Sequence, residues 1–164
     1  MRPIVLLGLM GTGKTSVGAL VAERLGWPLR DSDVDLLAAR GHTAAELNAL
    51  HGADYLHDLE ARHLLDGLRT QSVICAAASV VERAECREAL AGAYVVCLDA
   101  PVDVLAARFH SAPHRPRFAP DITAMLTEQD ARRRALFAAV ADLVIDVARH
   151  NPASAASIVI ANAR

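Results

Sequence analysis

The sequence contains little of several residue types that mark other classes of protein. Lysine is nearly absent: of the 17 Lys and Arg residues, Lys14 is the single lysine. Aromatic residues make up 4% of the 164 residues, whereas about a fifth are alanine. This composition predicts a helix-rich chain with small side chains at its helix contacts. The formal net charge of -2 disfavours a strongly basic nucleic-acid-binding protein.

Long apolar runs and cysteine pairs are also missing. No run approaches the roughly 18–20 apolar residues that a membrane-spanning helix needs. Residues 1–10 run into a glycine-rich turn, so we interpret them as a buried strand and not as a signal peptide. The three cysteines, Cys75, Cys86 and Cys97, form no CxxC pair and are odd in number, which argues against a disulfide scaffold. We therefore expect a cytoplasmic monomer with no nucleic-acid or membrane partner, in which Cys75 and Cys97 are buried thiols.

Short apolar segments alternate with segments of helical periodicity along the whole chain. This alternation predicts βα units, and therefore one α/β domain over residues 1–164 with a parallel sheet flanked by helices. Five strands are expected, at residues 3–8, 29–30, 72–78, 94–98 and 143–147. Helices are expected at residues 14–25, at 34–69 with breaks near 41 and 51, at 82–91, at 121–140 and from 152 onwards. Thr43 and Glu46 form a capping box that restarts the helix after the first break.

A phosphate-binding motif lies between the first expected strand and the first expected helix. Residues 8–15 match the pattern G-x-x-x-x-G-K-[ST]. The glycines allow backbone N–H groups to point at phosphates, and the start of the helix adds partial positive charge. In this pattern Lys14 reaches the β- and γ-phosphates of a nucleotide and the Thr15 hydroxyl is a ligand of Mg²⁺. The motif therefore predicts binding of ATP and Mg²⁺.

Further polar residues favour a kinase over other proteins that carry this loop. A GTPase needs a second lysine for its guanine motif, and the chain has none. Asp31 and Asp33 follow the second strand, where one carboxylate can join the Mg²⁺ shell and the other can accept the proton of a hydroxyl. The loop at 110–120 carries Arg115, which can close on the γ-phosphate as part of a lid. Asp99 follows an apolar run, but it stands just before Ala100 and Pro101, so we interpret Asp99 as the cap of the helix that follows.

The sequence resembles shikimate kinase along nearly its whole length. The matching segments are G-L-M-G-T-G-K-T-S-V-G from residue 8, D-S-D at 31–33, G-H-T with A-E-L at 41–47, residues 52–60, H-R-P at 114–116, residues 133–146, Arg108, and N-P at 151–152. The resemblance implies the P-loop kinase fold, with an acceptor-binding helical segment at about 33–65 and a lid at about 110–120. It also implies ATP-dependent phosphorylation of a small-molecule hydroxyl, with shikimate 3-phosphorylation as the named reaction.

The same resemblance implies a role for each candidate site residue. The residues implied for the nucleotide are Gly11, Thr12, Gly13, Lys14, Thr15, Ser16, Arg108 and Pro152, of which the last two flank the adenine. Thr15 and Asp31 are implied to hold Mg²⁺, and Lys14, Asp33 and Arg115 to be catalytic. The residues implied for the acceptor are Asp33, His57, Ala77, Ala78 and Arg133, with Arg133 holding its carboxylate.

The sequence departs from the family pattern on the acceptor side. His57 stands where the family has an arginine that grips the acceptor carboxylate, and Ala76, Ala77 and Ala78 replace three glycines. A histidine cannot reproduce the paired hydrogen bonds of a guanidinium. The loss of one charged contact costs roughly 1.5–3 kcal/mol. We therefore expect an intact ATP site beside an altered or weakened acceptor site.

Three other functions remain open at this stage. The acceptor of the kinase can be a different hydroxylated molecule, such as a sugar acid or a polyol. The chain can instead be a nucleotide-binding paralogue without turnover, which would bind ATP but release no ADP in response to an acceptor. A nucleotide monophosphate kinase would need a base-reading pocket within residues 35–65, where Tyr55 is the one aromatic residue.

Overall fold

A five-stranded parallel sheet lies at the centre of the computed structural model, which describes residues 1–110 and 121–163. The strands are β1 Ile4–Leu7, β2 Leu29–Asp31, β3 Val73–Cys75, β4 Tyr94–Asp99 and β5 Leu143–Asp146. Their order in the sheet is β2-β3-β1-β4-β5, and every neighbouring pair is parallel. The five expected strands and the parallel sheet are therefore confirmed. Because the strands are parallel, their carboxyl ends meet at one edge, where α/β sheets place ligands.

Helices connect the strands in the order that the periodicity predicts. They are α1 Lys14–Leu25, α2 Ser32–Arg40, α3 Ala44–His51, α4 Ala53–Gly67, a 3₁₀ helix Ala78–Glu82, α5 Ala84–Leu90, α6 Val102–His110, α7 Ile122–Val140 and α8 Pro152–Asn162. The capping box at the start of α3 is confirmed. The Thr43 amide donates to Glu46 Oε2 over 2.8 Å, and the Glu46 amide donates to Thr43 Oγ1 over 3.2 Å.

The segment after β3 differs from its prediction. The strand expected at 72–78 ends at Cys75, and the chain enters the 3₁₀ helix at Ala78. Its neighbour β2 ends at Asp31, opposite Cys75, so residues beyond Cys75 have no strand partner on that side. Alanine also favours helical conformations. The helix expected from residue 82 consequently begins at Ala84, after the 3₁₀ helix.

The core divides into a large part around the sheet and a small part beside it. Residues Ile4–Leu7 of β1 are at most 1% exposed, as expected for a strand covered on both faces. The small cluster joins α2, α3 and α4 through Leu36, Ala44, Leu47, Leu56 and Leu59. All three cysteines are buried free thiols, as expected for Cys75 and Cys97. Within the described ranges, no helix combines the length and apolar character needed to cross a membrane.

Candidate active site

The loop between β1 and α1 has the geometry of a phosphate cradle. Gly13 precedes α1 with a φ of +87°, which L side chains rarely adopt, and no side chain caps the helix there. The first N–H groups of α1 therefore lack partners within the helix and are available to an anion. Thr12 is buried, and its hydroxyl donates to the Leu9 carbonyl over 2.9 Å. A Cβ on Gly8 would collide with the Leu98 carbonyl oxygen, so the loop can follow this path only with glycine there.

Lys14 folds back over this loop. Its Nζ donates to the Gly8 carbonyl over 2.6 Å and to the Leu9 carbonyl over 3.2 Å. Burial lowers the pKa of Lys14, and the negative charge of Asp33 opposes that effect. The ammonium group is therefore held at the cradle by weak neutral acceptors, which phosphate oxygens can replace with stronger charged hydrogen bonds.

Thr15 and Asp31 meet at the carboxyl end of β2. The Thr15 hydroxyl donates to Asp31 Oδ2 over 2.6 Å. The other carboxylate oxygen of Asp31 accepts from the amides of Asp33 and Val34, over 3.0 and 3.3 Å, and so caps α2. Asp31 is 4% exposed. This anchoring leaves one carboxylate oxygen and one hydroxyl oxygen together, a pair of the hard oxygen ligands that Mg²⁺ prefers.

Asp33 lies in the first turn of α2. The residue keeps exposed surface, although burial is the largest cause of its pKa shift. Burial raises the pKa of Asp33, Asp31 raises it further, and Lys14 opposes both. A carboxylate with a raised pKa is a stronger proton acceptor than an ordinary aspartate. The charges of Lys14 and Asp31 therefore both act on the Asp33 carboxyl group.

Glu60 is a member of this cluster that the sequence analysis missed. It lies on α4 and is 7% exposed, and the Ser79 hydroxyl donates to its Oε1 over 3.0 Å. Burial raises the pKa of Glu60 to about 7, against the opposing hydrogen bond from Ser79. Asp33 also raises this pKa, while Arg133 and Lys14 lower it. The sequence did offer a signal for Glu60, because this residue ends the segment 52–60 that resembles the family named above.

Arg133 on α7 is buried and already holds a carboxylate of this chain. Its Nε and Nη2 each lie 2.9 Å from Oε2 of Glu82, and its Nη1 donates to Gln129 Oε1 over 3.3 Å. His57 is half-buried nearby, and its pKa is lowered by burial and then by the positive charge of Arg133. The charge of Arg133 thus acts on His57, the other residue that the resemblance implies for the acceptor carboxylate. Glu82 was not anticipated.

The two neighbours of Arg133 in the sequence point to different places. Arg132 is 3.6 Å from Oε1 of Glu82, so it lies on the acceptor side with Arg133. Arg134 turns towards the end of β4, where its Nη1 donates to Asp99 over 3.0 Å. Among the described residues, the Asp99 carboxylate accepts hydrogen bonds from Arg134 and from no amide of α6, so the predicted cap is not observed. The carbonyl of Pro101 accepts the first amides of that helix.

Three further residues that the resemblance assigns to the nucleotide are Arg108, Pro152 and Ser16. Arg108, on α6, donates from Nη1 to the Gly11 carbonyl over 3.2 Å and from Nη2 to the Val147 carbonyl over 2.7 Å. It therefore connects the phosphate loop to the segment that follows β5. Pro152 is the first residue of α8, next to the capping residue Asn151, and Ser16 is exposed in the first turn of α1.

The alanine segment after β3 accepts its side chains without backbone strain. Ala77 is extended, with φ -63° and ψ 144°, and Ala78 begins the 3₁₀ helix. No described residue other than glycine has a positive φ, so the backbone here requires none of glycine's special conformations. Both residues are half-buried on the acceptor side. The lid is predicted at about 110–120. Its residues 111–120, Arg115 among them, lie outside the described residues.

Comparison with known proteins identifies relatives over nearly the whole chain. The family model "Shikimate kinase" matches residues 10–163. The chain is 37% identical over 150 residues to the shikimate kinase of Frankia casuarinae, covering 91% of this chain and 67% of that one. It is 34% identical over 158 residues to the shikimate kinase of Streptomyces avermitilis, covering 96% and 92%. Its fold matches the structure of shikimate kinase from Acinetobacter baumannii in complex with shikimate, with a TM-score of 0.88, 27% identity and coverage of 98% and 91%.

Proposed function

The chain belongs to the shikimate kinase family, and we propose that it transfers the γ-phosphoryl group of ATP to the 3-hydroxyl of shikimate. The observation that carries this proposal is the cluster at the carboxyl ends of β1 and β2. There Lys14, the Thr15–Asp31 pair and Asp33 come together beside a phosphate cradle. Phosphoryl transfer requires little covalent chemistry from the protein, so these positioned charges supply its main needs.

The residues around the cradle divide the binding of ATP among them. The free N–H groups at the start of α1 and the Lys14 ammonium hold the β- and γ-phosphates. We assign Arg108 and Pro152 to adenine on the resemblance, and the contact of Arg108 with the Gly11 carbonyl of the phosphate loop supports its part of this assignment. Arg115 completes this assignment as the lid arginine.

The Thr15 hydroxyl and Asp31 Oδ2 are the residues that would hold Mg²⁺. A hydrogen bond of 2.6 Å joins the two oxygens, so both are available side by side next to the cradle. Mg²⁺ held by them would neutralise negative charge on the phosphates of ATP. Asp31 is kept in place for this role by the two amides that its other oxygen accepts.

Asp33 orients the acceptor and receives its proton. The acceptor oxygen attacks the γ-phosphorus in line, the bond from that phosphorus to the β–γ bridging oxygen breaks, and ADP leaves. The hydroxyl proton passes to the Asp33 carboxylate and from there to solvent. Lys14 stabilises the negative charge that spreads over the transferring group.

The test is ADP release by the purified protein with Mg²⁺-ATP, with and without saturating shikimate. We expect strong stimulation by shikimate and a phosphorylated shikimate product detectable by mass spectrometry. ATP binding without any stimulation would refute shikimate as the acceptor. Binding of ATP with no ADP release for any acceptor would favour a nucleotide-binding paralogue.

A second candidate is a kinase for a hydroxylated acceptor without a carboxylate, such as a polyol. The observation that favours it is the carboxylate of Glu82 on Arg133, the residue implied to hold the acceptor carboxylate. A panel of polyols and sugar acids in the same assay separates the two candidates. In either case we propose that the protein acts as a cytoplasmic monomer on a small molecule.

A further inference from the structure

The arginine implied to bind the acceptor carboxylate is occupied by a carboxylate from within the chain. The Arg133 side chain is 6% exposed, and both Nε and Nη2 donate to the same oxygen of Glu82 over 2.9 Å. Nε and Nη2 form the edge of the guanidinium group that is suited to carboxylate recognition. An incoming carboxylate can therefore use this edge only in exchange for Glu82.

The fold delivers Glu82 to this place through the 3₁₀ helix. This helix packs against both α4 and α7, and it carries Ser79 at one end and Glu82 at the other. Ser79 is hydrogen-bonded to Glu60 of α4, while Glu82 pairs with Arg133 of α7. The position of Glu82 thus follows from the early end of β3, which starts the 3₁₀ helix at Ala78.

Among the described residues, the other arginines near this spot are Arg132 and Arg83, and both are paired with carboxylates of the chain. His57 stands where the family has a second arginine, and burial together with Arg133 lowers the pKa of His57, which favours the neutral imidazole. The pair formed by Arg133 and Glu82 carries no net charge. An acceptor anion therefore meets a site whose main cation is already neutralised.

The structure also provides a second partner for Glu82. Its other oxygen, Oε1, lies 3.6 Å from Nε of Arg132, whose side chain is half exposed. The Glu82 side chain itself is 32% exposed. Glu82 can therefore leave Arg133 without becoming an unpaired buried charge, because Arg132 and solvent receive it.

We propose that Glu82 is a specificity-determining residue that competes with the acceptor's carboxylate for Arg133. It weakens the binding of carboxylated acceptors and leaves the binding of ATP unchanged. This inference rests on the proposed function, because it takes the acceptor to be an acid such as shikimate.

The test compares Glu82→Gln with wild type by steady-state kinetics and by calorimetric binding of shikimate. We expect the KM and the Kd for shikimate to fall about tenfold, since a charged hydrogen-bonded competitor is removed. The KM for ATP and kcat should stay within twofold. A cyclohexene triol that lacks the carboxylate should show no such gain in affinity.

Glu128→Gln is the matched control, because it also removes one negative charge near Arg132, from a glutamate of α7. Glu128 lies 3.6 Å from Arg132 and makes no hydrogen bond or ion pair with Arg133 among the described residues, and its side chain is 70% exposed. We expect its KM for shikimate to stay within twofold of wild type. Glu82→Ala, which removes the side-chain acceptor of Nε and Nη2 of Arg133, should repeat the gain seen with Glu82→Gln.

The outcomes separate this inference from the proposed function. An unchanged or increased KM and Kd in Glu82→Gln, with the KM for ATP intact, would overturn the inference while the kinase assignment stands. Failure of shikimate to stimulate ADP release in wild type would refute the proposed function. In that case tighter shikimate binding by Glu82→Gln still supports the inference, and no binding to either protein overturns it.

Discussion

At the scale of single residues, the site depends on charges that are held in place by uncharged partners. Lys14 is kept at the cradle by two backbone carbonyls, and Asp31 is fixed by two backbone amides. These contacts position each charge without neutralising it. The arrangement favours a site in which a phosphate ligand supplies the missing opposite charge.

Replacement of the single lysine tests the phosphate cradle. We expect Lys14→Ala to lower kcat/KM for shikimate-dependent ADP release by roughly 10²–10³-fold or more, because it removes a preorganised charge from the transferring group. Arg69→Ala is a suitable control, since Arg69 is an exposed cation that precedes β3 at the opposite edge of the sheet. Activity of Lys14→Ala within tenfold of wild type would show that the catalytic cluster lies elsewhere.

Glu60 makes the stability of the protein depend on pH. Burial raises its pKa from an ordinary 4.5 to about 7, so between these values the folded state binds more proton than the unfolded state. Its contribution to stability is therefore greatest below pH 4.5 and is lost as the pH rises through 7. Glu60→Gln keeps the shape of the side chain and cannot ionise.

The measurement is urea unfolding of Glu60→Gln and wild type at pH 5 and pH 8. We expect the free energy of unfolding of the variant, relative to that of wild type, to increase by about 2 kcal/mol from pH 5 to pH 8. Glu88→Gln, at an exposed site on α5, should show no such change with pH. A constant difference between Glu60→Gln and wild type would mean that Glu60 is ionised throughout.

At the scale of secondary-structure elements, the close approach of α1 to β3 sets the position of the cradle. Gly18, in α1, has no room for a side chain, because a Cβ there would overlap Sγ of Cys75 in β3. Cys75 in turn contacts the Lys14 carbonyl over 3.2 Å, at the start of the same helix. The first turn of α1 is therefore located by tight packing one turn further along.

A single methyl group tests this packing. We expect Gly18→Ala to destabilise the protein by about 1–3 kcal/mol, because overpacking forces the helix away from the sheet. Gly92→Ala is the matched control, since its Cβ would make an ordinary contact with the Ala89 carbonyl at 3.5 Å. Thermal unfolding of both variants gives the comparison. Equal stability of Gly18→Ala and wild type would show that the helix shifts without cost.

At the scale of the whole molecule, the site joins parts of the chain that are distant in sequence. The cradle follows β1, Asp31 ends β2, Ser79 and Glu82 follow β3, and Arg133 comes from α7. Arg108 adds a link from α6 to the phosphate loop. A ligand that contacts these elements together binds only the folded chain and must therefore stabilise the entire fold.

This linkage predicts a thermal shift on nucleotide binding. With Mg²⁺-ADP at about 100 times its Kd, the folded state gains about 2.7 kcal/mol, which corresponds to a rise of roughly 5–10 °C in Tm for a chain of this size. Differential scanning fluorimetry measures it, with MgCl₂ alone as the control. Lys14→Ala should show a smaller rise at the same concentration. No rise for wild type would contradict the nucleotide site.

The sequence by itself determined the features that depend on local pattern. The hydrophobic periodicity, together with glycine and proline at the ends of elements, predicted all five strands. Residue spacing alone located the capping box of α3. The phosphate loop was recognisable because its chemistry is carried by eight consecutive residues. Asp31 was placed correctly at the carboxyl end of β2, although the strand includes it, since the end of a parallel strand has a known position in the sheet.

Only the tertiary structure decided which side chains are already paired. Glu82 and Arg133 are 51 residues apart, and the pairing depends on where β3 ends and how the 3₁₀ helix packs between α4 and α7. The Asp99 carboxylate likewise pairs with Arg134 of α7, a partner that the sequence did not predict. Local pattern carries no information on such partners, because they are chosen by packing between elements that the sequence places far apart.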